Sequence, residues 1–313
     1  MKKILAILIT ATLCAAAVSA QDMESATSLY NEGATALNAG DKETALTYFE
    51  EALAQAEIIG PEADELAYNC KRNIPTLISA IGKELAAANE IDSAIVVLTD
   101  AAAKAKAYGQ DDIAAEAENL IPQLYMQQGN ILLNQKQYAE AMEKYQKVID
   151  MNPNDANANL RLGQAASRAG DIDAAIAALT KASELGQSKA ADKEMATIYL
   201  SQAANVLKSK DYQKALEYAD KSLAILPTPT AMQIAGTAAL ALKDYDKAIA
   251  NFEGFVAASP NARNIDQIKY QLATAYEAKG DKASACDNYK AILANPQFAE
   301  YAKHKIDVEL KCQ

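Results

Sequence analysis

The sequence offers few side chains that could carry out a reaction. His304 is the only histidine, and it falls on the polar face of the last predicted helix without a nucleophile or companion metal ligands. The carboxylate pairs Asp111-Asp112 and Glu50-Glu51 fall at helix starts or on exposed faces, where they complement the helix dipole and solvate the surface. No glycine-rich phosphate loop, CxxC or HExxH motif occurs. The sequence therefore predicts a non-enzymatic protein without catalytic residues, cofactor or metal.

Three cysteines follow the N-terminal apolar segment: Cys70, Cys286 and Cys312. An oxidising compartment permits one disulfide, and Cys286 and Cys312 in the last two predicted helices could staple the C-terminal end. In a regular helix pair, however, Cys312 would overshoot Cys286 by about two turns, and disulfide geometry is strict. A Cys286–Cys312 bond and three unpaired thiols therefore both stay open.

The N-terminus has the pattern of a secretory signal peptide. Lys2 and Lys3 precede an apolar run, Ile4 to Val18, and small residues end at Ala20 before a predicted cut at Gln21. No later segment has the roughly 18 consecutive apolar residues of a membrane span. We therefore expect export across an inner membrane and a periplasmic protein, with association with an outer membrane left open.

The composition favours helix and disfavours nucleic-acid binding. Half of the 313 residues are apolar, only 6% are aromatic, and the chain holds 12 Gly and 8 Pro. Without Lys2 and Lys3 the charged residues are 28 basic and 41 acidic, a net charge of −13. A chain this acidic, with no basic stripe, repels phosphate backbones.

A helical repeat runs through the chain in three columns of residues. One column is alanine: Ala45, Ala94, Ala141, Ala175, Ala215, Ala248 and Ala285. A column twelve residues earlier is also small: Gly33, Gly82, Gly129, Gly163, Ala203, Gly236 and Ala273. A third column is bulky except at Ala219: Phe49, Leu98, Tyr145, Leu179, Phe252 and Tyr289. Small residues on two antiparallel helices let the backbones approach, while the large residue fills the groove beside them.

Breaks between the helices combine a glycine with an acidic start to the next helix. They occur at Gly40-Asp41, Gly170-Asp171 and Gly280-Asp281. The first two spacings in the alanine column, 49 and 47 residues, exceed the later ones, so residues 58–75 and 107–122 are insertions. We predict that these insertions form longer helices, interrupted or kinked before Pro75 and Pro122.

The columns resemble the tetratricopeptide repeat family, which has small residues at positions eight and twenty and a large one at position twenty-four. With the signal-like N-terminus, the chain resembles an exported bacterial member of that family. The resemblance covers about residues 26–296. It implies an all-α fold, a right-handed α-solenoid of about seven helix-turn-helix repeats with a C-terminal capping helix at about Phe298 to Leu310. The predicted organisation is a signal peptide at 1–20, N-terminal repeats with long inserted helices at 21–121, regular repeats at 122–296 and the capping helix at 297–313.

In this family the first helix of each repeat lines a groove. Amides that can bond an extended backbone alternate there with apolar side chains. Carried over to this sequence, the candidate groove residues are Gln123, Met126, Asn130, Leu133, Asn134, Asn157, Leu160, Gln164, Ser167, Arg168, Thr197, Leu200, Leu207 and Lys208. Chaperone-tail binders of the family clamp a terminal carboxylate with Lys, Asn and Arg, but Lys83, Asn130 and Arg168 are too scattered to reproduce that clamp.

The resemblance implies a protein-interaction scaffold, with partners in an envelope assembly such as an outer-membrane, secretion or polysaccharide-export complex. A rival interpretation is glycan or peptidoglycan binding, or an accessory role in polysaccharide export. Sugar binding needs aromatic platforms, and only Tyr30 and Tyr270 fall in the predicted groove, at opposite ends. Docking of the partner on another face and homo-oligomer formation both stay open.

Overall fold

The computed structural model describes residues 23–312. The predicted signal peptide at residues 1–20, with its cut between Ala20 and Gln21, lies outside the described residues. Within residues 23–312, no helix combines the length and the apolar character that a membrane span requires.

The described chain folds into successive antiparallel helical hairpins. The first helices of the hairpins are α1 (Met23–Asn38), α3 (Asp64–Ala87), α5 (Asp111–Asn134), α7 (Ala156–Ala169), α9 (Ser188–Lys208), α11 (Pro229–Ala241) and α13 (Ile265–Lys279). The second helices are α2 (Lys42–Ile59), α4 (Ile91–Ala107), α6 (Tyr138–Met151), α8 (Ile172–Ala182), α10 (Tyr212–Ile225), α12 (Tyr245–Ala258) and α14 (Lys282–Lys290). A short helix α15 (Ala299–His304) and a π-type turn (Lys305–Glu309) follow. No strand occurs in residues 23–312, and the predicted all-α solenoid of helical hairpins is confirmed.

The turns within the hairpins confirm the predicted glycine and aspartate breaks. Gly170 ends α7 with a left-handed φ of 87°, and the next residue, Asp171, accepts a hydrogen bond from the backbone N–H of Ala174. Gly280 and Asp281 do the same between α13 and α14. Four other turns place a non-glycine residue in the left-handed region: Asn89, Lys136, Lys210 and Lys243. Each turn thus ends one helix and caps or starts the next within a few residues.

The chain divides into two compact units, an N-terminal unit ending at Gln128 and a C-terminal unit starting at Gly129. Their charges differ sharply. Residues 23–128 hold 18 acidic and 6 basic side chains, a net charge of −12, whereas residues 129–312 hold 22 of each. All the basic side chains of the N-terminal unit form ion pairs: Lys42–Glu84, Lys71–Glu57, Arg72–Asp112, Lys83–Glu116, Lys104–Glu50 and Lys106–Glu118. The acidic surplus of the described chain is therefore confined to its first unit.

The predicted interruptions before Pro75 and Pro122 are wrong. Helices α3 and α5 each run for 24 residues with their proline inside. In α3 the extra length lies at the N-terminal end, directly after a short 3₁₀ turn at Pro61–Ala63. Pro75 is fully buried, and α3 packs against both α2 and α4. This packing outweighs the backbone hydrogen bond that the proline removes.

A glycine packed directly against a bulky side chain sets the approach of the two helices in a hairpin. A Cβ atom added to Gly129 would lie 2.5 Å from Cε1 of Tyr145, and one added to Gly236 would lie 2.7 Å from Cε1 of Phe252. An added Cβ atom would also lie only 2.6 to 3.0 Å from the nearest side-chain atom in three further pairs: Gly33 with Phe49, Gly82 with Leu98 and Gly163 with Leu179. The bulky residue thus lies on the glycine itself, and not only in a groove beside the small pair as the sequence suggested.

The hairpin of α9 and α10 has no bulky residue in the third column, and its small residue on the first helix is larger than glycine. Ala219 takes the place of the ring, and its partner on the first helix is Ala203 instead of glycine. Both alanines are fully buried in one core cluster with Ala215. Alanine opposite alanine therefore preserves the close approach here, whereas the last hairpin pairs Ala273 with Tyr289, both fully buried.

The segment after α14 folds back over the last hairpin. Its side chains Ile292, Phe298, Ala302 and Ile306 are buried in one cluster with Tyr289 of α14. The single capping helix predicted from Phe298 to Leu310 is shorter in the structure, because α15 ends at His304 and the chain continues as the π-type turn. Ile306 is buried, whereas Tyr301 and Val308 remain 43% and 56% exposed. Only part of the expected apolar face therefore covers the hairpin.

A disulfide and a half-buried lysine connect this segment to the last hairpin. Cys286 of α14 is bonded to Cys312, with the two Cα atoms 5.8 Å apart. The expected overshoot of two turns does not arise, because residues 291–298 form turns and use little length along the helix axis. Burial alone would lower the pKa of the Lys305 ammonium, but hydrogen bonds to Glu309 and to Glu277 of α13 raise that pKa above its ordinary value.

Gly236→Ala should lower the free energy of unfolding by about 1–3 kcal/mol, because the new methyl group overlaps the Phe252 ring. Gly254→Ala is a matched control in the same hairpin. Its Cβ atom would lie 3.3 Å from Sδ of the flexible Met232 side chain, and alanine favours the helix by up to about 1 kcal/mol. Urea unfolding followed by circular dichroism compares the two variants. Equal midpoints would contradict the close-contact explanation.

Replacing Cys286 and Cys312 together by serine should reduce the stability of the C-terminal hairpin by about 3 kcal/mol, the loop-closure effect for a separation of 26 residues. Dithiothreitol should lower the melting temperature of the natural chain and leave that of the double variant unchanged. A natural chain that melts at the same temperature with and without the reductant would refute the stabilising role of this bond.

Candidate functional site

The first helices of the C-terminal unit form a continuous layer. Within this unit α7 contacts α9, α9 contacts α11 and α11 contacts α13, in addition to the second helices between them. Second helices of neighbouring hairpins pack against each other more weakly in residues 129–312. Because the hairpins are closer together on the first-helix side, that side is the inside of the curve of this unit. We call it the inner face and define it by the first helices α7, α9, α11 and α13 and the end of α5.

The predicted groove residues of the C-terminal unit lie on these first helices, but they differ in exposure. The exposed ones are Asn134, Asn157, Arg168, Thr197 and Lys208. The half-buried ones are Asn130, Leu160, Gln164, Ser167, Leu200 and Leu207. Leu133 is only 5% exposed and therefore contributes to the interior, not to a binding surface. In the N-terminal unit, on α5, Gln123 is exposed and Met126 is half-buried.

Several amides of the inner face already hold neighbouring segments of the protein. Asn157 Oδ1 accepts a hydrogen bond from Gln187 Nε2 at 2.9 Å, which links α7 to the start of α9. Asn264 Nδ2 donates to Gln233 Oε1 at 3.0 Å, just before α13. These amides bridge one first helix to the next, so their hydrogen-bonding groups are partly used by the fold. Of these four amides, only Asn157 was predicted from the sequence to line the groove.

Asn130 has the most specific internal partner. Its Oδ1 accepts a hydrogen bond of 2.9 Å from the hydroxyl of Tyr145, a residue that is fully buried against Gly129. Burial raises the pKa of this hydroxyl, and the positive charges of Arg161 and Arg168 partly offset the rise. Asn130 therefore supplies the hydrogen-bond acceptor of a buried hydroxyl whose pKa also responds to the charges of Arg161 and Arg168.

Arg161 is a residue of the inner face that sequence reasoning missed. It lies on α7 one turn before Gln164, and its Nη1 donates to Gln164 Oε1 at 3.2 Å. The groove residues carried over for α7 were Asn157, Leu160, Gln164, Ser167 and Arg168, and Arg161 was not among them. Its spacing of seven residues from Arg168 was the available signal, because residues seven apart share one helix face. Neither arginine forms an ion pair with a carboxylate of residues 23–312.

The aromatic residues predicted for the groove are engaged within their own units. The Tyr30 ring lies 5.2 Å from that of Phe49, and its hydroxyl accepts a hydrogen bond from Asn73. The Tyr270 ring is enclosed by Phe298 and Tyr301, each with ring centres 5.4 Å away. These contacts remove Tyr270 as an open platform for a sugar ring.

The groups with reactive chemistry occupy unpromising positions. Cys70 is fully buried, and burial raises the pKa of its thiol to about 11, so the nucleophilic thiolate is scarce at neutral pH. His304 is exposed on α15, where its Nε2 lies 3.4 Å from a carboxylate oxygen of Glu309. Across residues 23–312, no three His, Cys, Asp or Glu side chains come together in a way that could hold a metal ion.

Stacked helical hairpins with small residues at the helix crossings define an α-helical repeat protein. Models of the tetratricopeptide repeat match four stretches of the chain: residues 26–57, 79–156, 132–197 and 268–297. The matched stretches begin and end within the hairpins described above. The chain belongs to the tetratricopeptide repeat family.

Solved structures of low sequence identity resemble parts of the chain. A MamA structure is 19% identical with a TM-score of 0.39, covering 62% of this chain and 97% of its own. YrrB, described as a tetratricopeptide repeat protein with an unusual peptide-binding site, is 17% identical with a TM-score of 0.36, covering 57% and 90%. A thermophilic tetratricopeptide repeat protein of Thermus thermophilus, TTC0263, is 16% identical with a TM-score of 0.27, covering 61% and 99%. No curated protein matches the chain.

Asn130→Ala should lower the free energy of unfolding by about 1–3 kcal/mol, because it leaves the buried Tyr145 hydroxyl without its acceptor. Asn134→Ala is the matched control one turn further along α5, at an exposed position, and should change stability by less than about 0.5 kcal/mol. Thermal unfolding measures both. In a Tyr145→Phe background the cost of Asn130→Ala should largely disappear, and a cost that persists there would contradict the assignment.

Proposed function

We propose that this protein is a non-enzymatic scaffold that binds peptide segments or partner subunits of an envelope assembly on its inner face. Membership of the tetratricopeptide repeat family supports a role in protein–protein interaction. The observation that carries the choice of face is the row of half-buried leucines and exposed polar side chains on consecutive first helices. Leu160 and Leu200 lie half-buried beside exposed Arg168 and Lys208.

This mixture suits an extended peptide. Half-buried leucines accept apolar side chains, and exposed amide and cationic groups bond the backbone and polar side chains of a ligand. The helices that carry them are held by the glycine contacts and by the amide bridges between first helices. A rigid surface of this kind loses little conformational entropy on binding.

The proposed compartment is the periplasm. The signal-peptide pattern of residues 1–20 supports export, and the Cys286–Cys312 bond supports an oxidising environment. The envelope partners follow from this location and from the family resemblance. A glycan ligand is less well supported, because Tyr270 is enclosed by Phe298 and Tyr301.

Photo-crosslinking tests the proposed face. A photoreactive phenylalanine analogue introduced at the exposed positions Asn134 and Lys208 should form crosslinks to a protein partner in cell envelopes. The same analogue at Lys147 of α6 and Ala250 of α12, exposed positions on second helices, should not. Mass spectrometry identifies the crosslinked partner. Equal crosslinking at the second-helix positions, or crosslinks there alone, would refute the inner-face assignment.

A further inference from the structure

Two arginines without carboxylate partners lie on the inner face of the C-terminal unit. Arg161 and Arg168 are exposed on α7 and seven residues apart, which corresponds to two turns and a rise of about 10.5 Å along the axis. This unit has as many acidic as basic side chains, yet neither arginine forms an ion pair with them. In the N-terminal unit, by contrast, every basic side chain is paired.

The one side chain that accepts a hydrogen bond from either arginine within residues 23–312 is neutral. Arg161 donates to the amide oxygen of Gln164, and Ser167 is half-buried on the same helix next to Arg168. Asn130, at the end of α5, uses its oxygen for the Tyr145 hydroxyl, and the charges of Arg161 and Arg168 lower the pKa of that hydroxyl. A guanidinium group has five N–H donors in a planar fork, and most of them remain available here.

We propose that the segment bound by the inner face is acidic, with two carboxylate side chains that pair with Arg161 and Arg168. This inference rests on the proposed scaffold function and specifies the partner. In a polyproline II peptide, which has three residues per turn, residues three apart lie on the same side and are separated by about 9 Å, close to the distance along α7 between the arginines. Each carboxylate can accept two parallel hydrogen bonds from one guanidinium group, the strongest geometry for such a pair.

The partner is a segment of a different protein. The acidic surplus of this chain lies in its N-terminal unit. Two acidic residues on one helix would match the spacing of Arg161 and Arg168 if they were seven residues apart. That spacing occurs at Glu43/Glu50, Glu50/Glu57 and Asp111/Glu118. Each of these pairs has at least one carboxylate already bonded to a lysine: Glu50 to Lys104, Glu57 to Lys71 and Glu118 to Lys106. A second copy that presented one of these three pairs would therefore have to break its own ion pairs to occupy the site. Glu143 and Asp150 of α6 have the same spacing in the C-terminal unit, but Lys147 lies one turn from each of them, and its charge opposes docking on the arginines.

Fluorescence anisotropy with labelled peptides tests the proposal on the full chain. The probe is a peptide of about ten residues, rich in proline so that it favours polyproline II, and it carries two glutamates with two residues between them. The comparison peptides carry glutamines at those positions or place the two glutamates side by side. The protein variants are Arg161→Gln, Arg168→Gln and, as a matched control, Arg263→Gln. Arg263 is an exposed arginine in the loop after α12, and it does not lie on α7.

The natural chain should bind the spaced-glutamate peptide best and the glutamine peptide at least about tenfold more weakly, since each charge-assisted pair is worth about tenfold in affinity. Each of Arg161→Gln and Arg168→Gln should weaken binding by a similar factor, whereas Arg263→Gln should not. Circular dichroism should be unchanged for all three variants, because the side chains are exposed.

Equal binding of the glutamate and glutamine peptides, an affinity unchanged by both inner-face substitutions, or no binding by the natural chain would each overturn the acidic-partner proposal. Crosslinks from Asn134 and Lys208 to a partner would still support the scaffold function in that case. Sedimentation velocity completes the test. An oligomer of the natural chain that Arg161→Gln or Arg168→Gln dissociates would mean that a second copy occupies the site, and would overturn the choice of a different protein.

Discussion

The whole structure depends on one steric constraint, the direct packing of a glycine or alanine on the first helix against the residue sixteen positions later on the second. Where that residue is large, as at Tyr145 or Phe252, a glycine stands opposite it in five hairpins, and Ala273 opposite Tyr289 is the exception. Where it is Ala219, an alanine fits instead. The contact fixes the distance between the two helices of a hairpin, and that distance fixes how hairpins stack on their neighbours. We attribute the hydrogen bonds between amides of successive first helices to this close approach of the two helices in each hairpin.

The hairpins could be predicted from the sequence because the steric constraint acts on residue size, and residue size is known from the residue type. The columns at Gly129, Ala141 and Tyr145 predict which residues meet, and the Gly170-Asp171 turn predicts where a helix ends. The path of the inserted helices could not be read in this way. Proline at position 75 predicts a break from local preference, yet its burial between α2 and α4 keeps the helix continuous. Tertiary packing determines that α3 continues through Pro75. A local sequence pattern does not contain the packing partners, because they are distant in sequence.

The candidate site was predictable in outline and not in detail. Repeat positions place Asn130 and Gln164 on the same face as Arg168, but they do not reveal that Asn130 is already bonded to the Tyr145 hydroxyl. Arg161 was missed because the family positions were followed more closely than the helical spacing of the charges. The charge difference between the two units was visible in the sequence, and counting acidic residues before and after position 128 would have found it. What could not be seen was that every basic side chain in the first unit is used in an ion pair.

The fold-back segment after α14 has a consequence for assembly. Each hairpin of a solenoid offers an apolar flank to the next, so a final hairpin left bare would accept the leading hairpin of another molecule and start a filament. Here Phe298, Ala302 and Ile306 occupy that flank, and the Cys286–Cys312 bond prevents them from peeling away. The bond therefore holds the covering segment on the last hairpin, which opposes the stacking of a second molecule on that flank.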